Sequence, residues 1–200
     1  MGLPDGWNTV RARLACDPLE GWFFLSAALL LVSGGAKLAD PAPTSGALRL
    51  AGLASSIGVV YALAVAEVAT GASALMFGGR WTGWATSILY GAFGSFVAFA
   101  LSRSIPIASC GCFGKVDTPP TLTHVFLNVA GLVGGMWAGL THSPSIASVL
   151  GGQPLSGVPY LLFLATGTYA AYLLLTALPV VLRTSLTGTH LLGRQVPGKR

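Results

Sequence analysis

"TLTHVFLNVAGLVGGMWAGLT", residues 121–141, holds no Asp, Glu, Lys or Arg. As a helix rising about 1.5 Å per residue, such a run crosses the ~30 Å hydrocarbon core of a bilayer. It belongs to a longer uncharged segment. Between Asp117 and Arg183 only His124 and His142 can take up a proton near neutral pH. The whole chain has the same bias, with 53% apolar residues, 8% charged residues and a mean hydropathy of +0.72. A soluble domain carries about 25% charged residues. This is the composition of an integral membrane protein.

Working outward, five apolar runs are long enough to span, at about 19–38, 50–69 (extending to 77), 81–101, 121–141 and 158–182. None alternates as a barrel strand does, and in lipid only helices or closed barrels satisfy the backbone. The expected fold is therefore an all-α polytopic transmembrane helical bundle. Trp22, Trp81, Trp84 and Tyr160 lie near span ends, where amphipathic rings favour the headgroup level. Residues 1–18 form an extramembrane segment, 142–157 a loop, and 183–200 a basic tail. The first apolar run is too long for a signal h-region and lacks a small-residue cleavage site, so it reads as a retained anchor.

Lys and Arg set the expected orientation. Five spans put Arg11, Arg13 and Arg80 on one side, and Lys37, Arg49, Arg103, Lys115, Arg183, Arg194, Lys199 and Arg200 on the other. Eight against three makes the second side cytoplasmic and the N-terminus external. The net charge of +5 follows from basic span ends meeting anionic headgroups. No zinc-finger spacing or basic-aromatic patch points to nucleic acid, and "FGKVDTPPT" lacks the glycine-rich run of a P-loop.

Gly131, Gly135 and Gly139 recur at four-residue spacing, with Gly134 beside them. Such ladders let helix backbones touch, which matters in lipid, where no hydrophobic force pulls helices together. Bundle packing is the expectation; a homodimer seam is the other use of the pattern.

The chemistry concentrates in "ASCGCFGKVDTPP", residues 108–120. Cys110 and Cys112 lie one glycine apart between Arg103 and Lys115, and nearby positive charge favours the thiolate that attacks disulfides and binds metals. A disulfide across one residue closes a strained ring, more easily reduced and better suited to exchange than to stapling. Copper(I), which accepts two thiolates, is a rival. Structural zinc wants four ligands, and His124 would bring the count only to three. Plain packing of two small side chains is the third reading. Residues alone leave all three open.

Thr121, His124 and Asn128 share one helical face, and polar stripes in membrane helices face the bundle interior. His124 could relay protons for thiol chemistry or bond a neighbouring carbonyl, and Asn128 could bridge two helices. Glu67 is the only charge between Arg49 and Arg80. With a span starting at Leu50, it lies nearer the face opposite the Cys-Gly-Cys loop, as a functional carboxylate or an interhelical hydrogen-bonding group.

"SGGAKLADP", "ALAVAEVATGASALMFGG" and "SCGCFGKV", followed by a polar-started span, resemble the MauE family of methylamine-utilisation membrane proteins, relatives of DoxX-like proteins. The likeness covers residues 22–140: Lys37, Asp40 and Pro41 match the lysine-leucine and aspartate-proline positions, Glu67 the second-span glutamate, and 110–114 the Cys-x-Cys-Phe-Gly signature. The resemblance implies a four-helix redox-associated core at 19–141 in the cell (inner) membrane of a prokaryote, to which this chain adds a fifth span and a basic tail. It implies a thiol–disulfide oxidoreductase component that helps mature an exported, disulfide-containing client, of methylamine-dehydrogenase type, with a thioredoxin-like partner. Cys110 and Cys112 would be the redox pair, with Lys115 and His124 tuning it. No cofactor is required by the pattern, though quinone and copper are compatible with it. The rival is a non-catalytic assembly scaffold. Disulfide formation belongs outside the cytoplasm, whereas counting basic residues puts the pair inside; a carrier of cytosolic reducing equivalents fits one side, a quinone-coupled oxidase the other.

Cys16 is the third cysteine, and three spans separate it from the pair. About 30 Å of hydrocarbon then lies between them, against the ~7 Å Cα limit of a disulfide. A membrane-impermeant maleimide is expected to modify Cys16 from one face and Cys110 and Cys112 from the other. Labelling of all three from one side contradicts the five-span reading.

Overall fold

The computed structural model describes residues 18–107 and 119–177. Cys16, Cys110, Cys112, Lys115, the final residues of the fifth expected span and the basic tail lie outside the described residues. Every regular element among those described is helical. In order they are α1 Pro18–Ala39, α2 Ala42–Leu50, α3 Ile57–Met76, α4 Arg80–Ser102, α5 Leu122–Thr141, α6 Ile146–Gly151, a 3₁₀ turn at Pro154–Gly157, and α7 Val158–Thr176. Five helices are long and apolar enough to cross a bilayer, as the sequence suggested. The chain is an integral membrane protein with five spans.

Local chemistry sets the ends of these helices. α1 opens on Pro18, whose fixed φ suits a first turn, with Glu20 and Lys37 complementing the helix dipole at either end. Ser56 caps α3, its extended backbone turning the hydroxyl to accept from the Val59 N–H at 3.3 Å. Between α3 and α4 the chain reverses through Gly78 and Gly79, at φ +64° and +93°, a conformation that a side chain resists. The Gly79 N–H donates to Ser143 O at 2.7 Å, tying this turn to the one after α5.

The second span differs from expectation. It begins at Ile57 rather than Leu50 and runs on to Met76. Residues before it fold separately as α2, bounded by Pro41 and Pro43 at its start and by Gly52 at φ +74° after its end. Proline disfavours helix in the preceding residue, which breaks α1 from α2 at Asp40. α2 buries Thr44 and Ala47 and exposes Arg49, as suits a short helix at a membrane surface. The expected fifth span extends to 182; its described helix ends at Thr176.

α1 is the central element, packing on α3, α5 and α7, while α4 and α5 pair along their lengths. The glycine ladder serves that pairing. A Cβ on Gly135 would sit 2.7 Å from Ser87 N and 2.9 Å from Gly83 O. Gly131 lies against the Tyr90 ring and Gly139 against Trp84, while Gly134 meets Trp22 of α1. The ladder is consumed inside the chain, so it is a packing device and not a homodimer seam. Ser87 Oγ donates to Leu132 O at 2.9 Å across the same contact.

Gly83 faces the Gly139 backbone so closely that any Cβ forces the helices apart. Gly83→Ala is expected to destabilise the detergent-solubilised protein by about 1–3 kcal/mol. Gly46→Ala, with nothing within 4 Å, should instead be neutral or stabilise by roughly 0.5–1 kcal/mol. Thermal unfolding distinguishes them: the midpoint should fall for Gly83→Ala and hold or rise for Gly46→Ala.

Candidate functional site

Two glycines bring α1 and α3 together. A Cβ on Gly34 would lie 2.8 Å from Ala64 O, and one on Gly71 would lie 2.6 Å from Ala27 O. At this close approach the polar face of α1, Ser33 and Lys37 four residues apart, meets Glu67. Lys37 Nζ donates to Glu67 Oε2 at 2.9 Å and to Ser33 Oγ at 2.6 Å, while Ser33 Oγ donates to the same carboxylate oxygen at 2.7 Å. Lys37 is 3% exposed and Glu67 0%. The ammonium also lies 5.3 Å from the centre of the Phe93 ring on α4, within cation–π range.

Glu67 therefore does not sit toward the far face. It is the eleventh residue of α3, about 15 Å along the helix, and its carboxylate is turned toward the α1 end that holds Lys37. The difference lies in the span start: residues 50–56 belong to the end of α2 and its following turn, not to the span. Its Oε1 has no hydrogen-bond partner although it is fully buried.

A second polar cluster begins α5. The Thr121 N–H donates to His124 Nδ1 at 3.3 Å, and Thr121 Oγ1 lies 2.9 Å from the same nitrogen. A backbone N–H only donates, so Nδ1 accepts and the ring proton sits on Nε2. Nε2 is buried without a partner, and His124 is 1% exposed. Asn128 does not bridge helices: its Nδ2 donates to His124 O at 2.7 Å, within its own helix. The reason is reach, since the carbonyl one turn back is the nearest acceptor for a short amide.

The two clusters meet across one cavity of about 40 Å³, lined by Ser33, Tyr90, Phe93, His124 and Asn128. That volume admits one or a few waters, at roughly 10–15 Å³ each. Tyr90 closes it from α4, with its hydroxyl donating to Ser26 O at 2.8 Å. Ser33, Tyr90 and Phe93 were not singled out from sequence. For Ser33 a signal existed: a hydroxyl one turn before the lone lysine of an apolar helix.

At the α1–α2 turn, Asp40 Oδ1 accepts from the Ala42 N–H at 3.3 Å. Cys110, Cys112 and Lys115 lie in the α4–α5 connection, outside the described residues. The first described end of that connection is packed into the bundle. Ile107 is buried with Ala47 of α2 and Ala100 of α4, and Ile105, Ile107, Pro119 and Pro120 line one shared groove. Among the described residues no group of three or more His, Cys, Asp and Glu side chains is placed to hold a metal.

The family model described as "Methylamine utilisation protein MauE" matches residues 20–141, more than half of the chain. The chain belongs to the MauE family. The match takes in α1 to α5, with Lys37, Glu67, His124 and both loop cysteines, and stops before α6 and α7. MauE membership and the five spans agree in making this a membrane protein of the methylamine-utilisation type. Comparison with curated proteins and with solved structures finds no match.

The MauE core encloses an ion pair away from water, so removing one partner strands the other charge. Lys37→Met is expected to cost about 3–5 kcal/mol, whereas Lys37→Met with Glu67→Met should recover most of that loss. Thermal unfolding in detergent measures both. Equal loss in single and double variants contradicts an energetically coupled pair.

Proposed function

We propose that this chain is a membrane thiol–disulfide component in which Cys110 and Cys112 cycle between dithiol and disulfide. It exchanges electrons with a thioredoxin-like partner and so assists maturation of an exported, disulfide-containing protein. The observation that carries the reading is the Cys-Gly-Cys pair beside Lys115, inside the family-matched segment, on a connection whose Ile107 end is buried against α2 and α4.

Exchange proceeds by attack of a partner thiolate on the Cys110–Cys112 disulfide, giving a mixed disulfide that the partner's second cysteine resolves. The partner's two thiols give up two electrons and two protons as Cys110 and Cys112 become the dithiol. His124 begins the helix that follows the loop, and its Nε2–H opens on a cavity shared with Ser33. That ring, with Ser33 and its partners Glu67 and Lys37 across the cavity, is the candidate proton store for the thiol chemistry. The pathway suggested by family membership is methylamine utilisation, with a methylamine-dehydrogenase-type client.

A non-catalytic scaffold is the other reading, favoured by the extent of small-residue packing between α4 and α5. Trapping separates the two. In cells, one of the single variants Cys110→Ser or Cys112→Ser should accumulate a mixed disulfide with a thioredoxin-like protein, seen on non-reducing gels and identified by mass spectrometry. The double variant should insert normally and trap nothing. Partner recovery and client maturation that are unchanged by the double variant would favour the scaffold.

A further inference from the structure

We infer that the apolar cavity beneath α2 is a quinone site, the acceptor for electrons leaving the Cys110–Cys112 dithiol. This rests on the redox reading above. The cavity encloses about 210 Å³ and is walled by Lys37, Thr44, Ala47, Leu63, Phe93 and Phe96, among others. An apolar cavity of about 150 Å³ takes up a benzene-sized ring, so this one holds a single substituted ring. Leu53, half exposed at the turn after α2, marks its mouth.

The lining selects the class of ligand. Phe93 and Phe96 offer aromatic surfaces on one wall, where a flat ring packs edge-on or offset. Lys37 and Thr44, 3% and 5% exposed, are the polar groups. An alkyl chain uses neither feature. A quinone ring uses both, with its electron-rich carbonyl oxygens toward the ammonium charge. That charge also stabilises the negative charge that develops on oxygen as electrons arrive.

Position makes the link to the thiols. Ala47 lines the cavity and also packs in the cluster that buries Ile107, with Phe96 common to both. Ile107 is three residues before Cys110, at most about 11 Å of extended chain. The reaction balances without any further reagent. Two S–H bonds break and one S–S bond forms. The two electrons and two protons pass to the quinone, whose two carbonyl oxygens become the hydroxyls of the quinol. An uncharged two-electron, two-proton acceptor dissolved in the bilayer suits a thiol pair in the connection between two membrane helices. The inference gives electron flow a direction, out of the thiols. Since disulfides persist in oxidising compartments, it places the loop on the outer face and reverses the sidedness obtained by counting basic residues.

The test uses the full chain in lipid nanodiscs with ubiquinone-1 and menadione as probes. Calorimetric titration should show saturable binding of one ring per chain. Ala92→Phe and Leu63→Trp each fill the cavity from a different helix, and each should weaken binding at least about tenfold while retaining the wild-type thermal transition. Pre-reduced protein should yield one quinol per chain; Cys110→Ser with Cys112→Ser should bind ubiquinone-1 with wild-type affinity and yield none. Absence of saturable binding, binding unchanged in both filling variants, or displacement by oleate with no quinol formed overturns the inference. If the thiols cycle with glutathione but not with quinone, the quinone site fails and the redox reading stands. If ubiquinone-1 binds but the thiols never interconvert, the redox reading fails and with it the electron-transfer role of the site.

Discussion

The buried pair of Lys37 and Glu67 is the constraint on which the bundle depends. A charged side chain at the centre of a membrane helix costs about 2.5–3.5 kcal/mol even on the mildest scales; Glu67 is buried there, and Lys37 is buried beside it from the last turn of α1. They are tolerated because each is the other's counter-ion and Ser33 bonds to both. The arrangement exists at one register only. Sliding α3 by one helical turn, ~5.4 Å, would separate the charges and leave both unpaired in an apolar interior. Gly34 and Gly71 remove the Cβ atoms that would keep the backbones too far apart for the contact. Electrostatics chooses the register and glycine permits it.

Once α1 and α3 are fixed, the rest of the polar interior follows. Ser33 faces the cavity that His124 and Asn128 line from α5, and α5 is held by backbone-close packing on α4. The Lys37 ammonium, on the side of α1 toward α2, lies over Phe93 and edges the larger cavity. Through Ala47 and Phe96 that cavity adjoins Ile107, where the chain sets out toward the cysteines. Charge pair and histidine thus border connected spaces inside the bundle, and the apolar residues Ala47, Phe96 and Ile107 lead from the charge pair to the start of the α4–α5 connection.

Much of this could be read directly from sequence. Five spans are visible because lipid demands long uncharged runs, and a ladder such as Gly131, Gly135 and Gly139 has few uses other than helix contact. The polar stripe of Thr121, His124 and Asn128 is visible because helical spacing places it on one face. The boundary at Ile57 was harder. Residues 50–56 are apolar enough to read as the start of a span, and only Gly52, at positive φ, marks them as the end of α2 and the turn after it. That local misreading moved Glu67 by two turns and hid its partner. The Lys37–Glu67 contact is long-range, separated by 30 residues, and no local pattern encodes which helices adjoin. Asn128 shows the converse: its type suggests an interhelical bond, but the carbonyl of His124 was closer.

The central claim is that Cys110 and Cys112 form a working redox couple in this setting. It is tested most directly by a redox titration of the purified chain in lipid, with free thiols read by alkylation mass shift at each potential. A single two-electron transition is expected, with the dithiol-to-disulfide ratio changing tenfold per ~30 mV and Cys16 alkylated throughout. Full alkylation of Cys110 and Cys112 at every potential, or none at any, would contradict it.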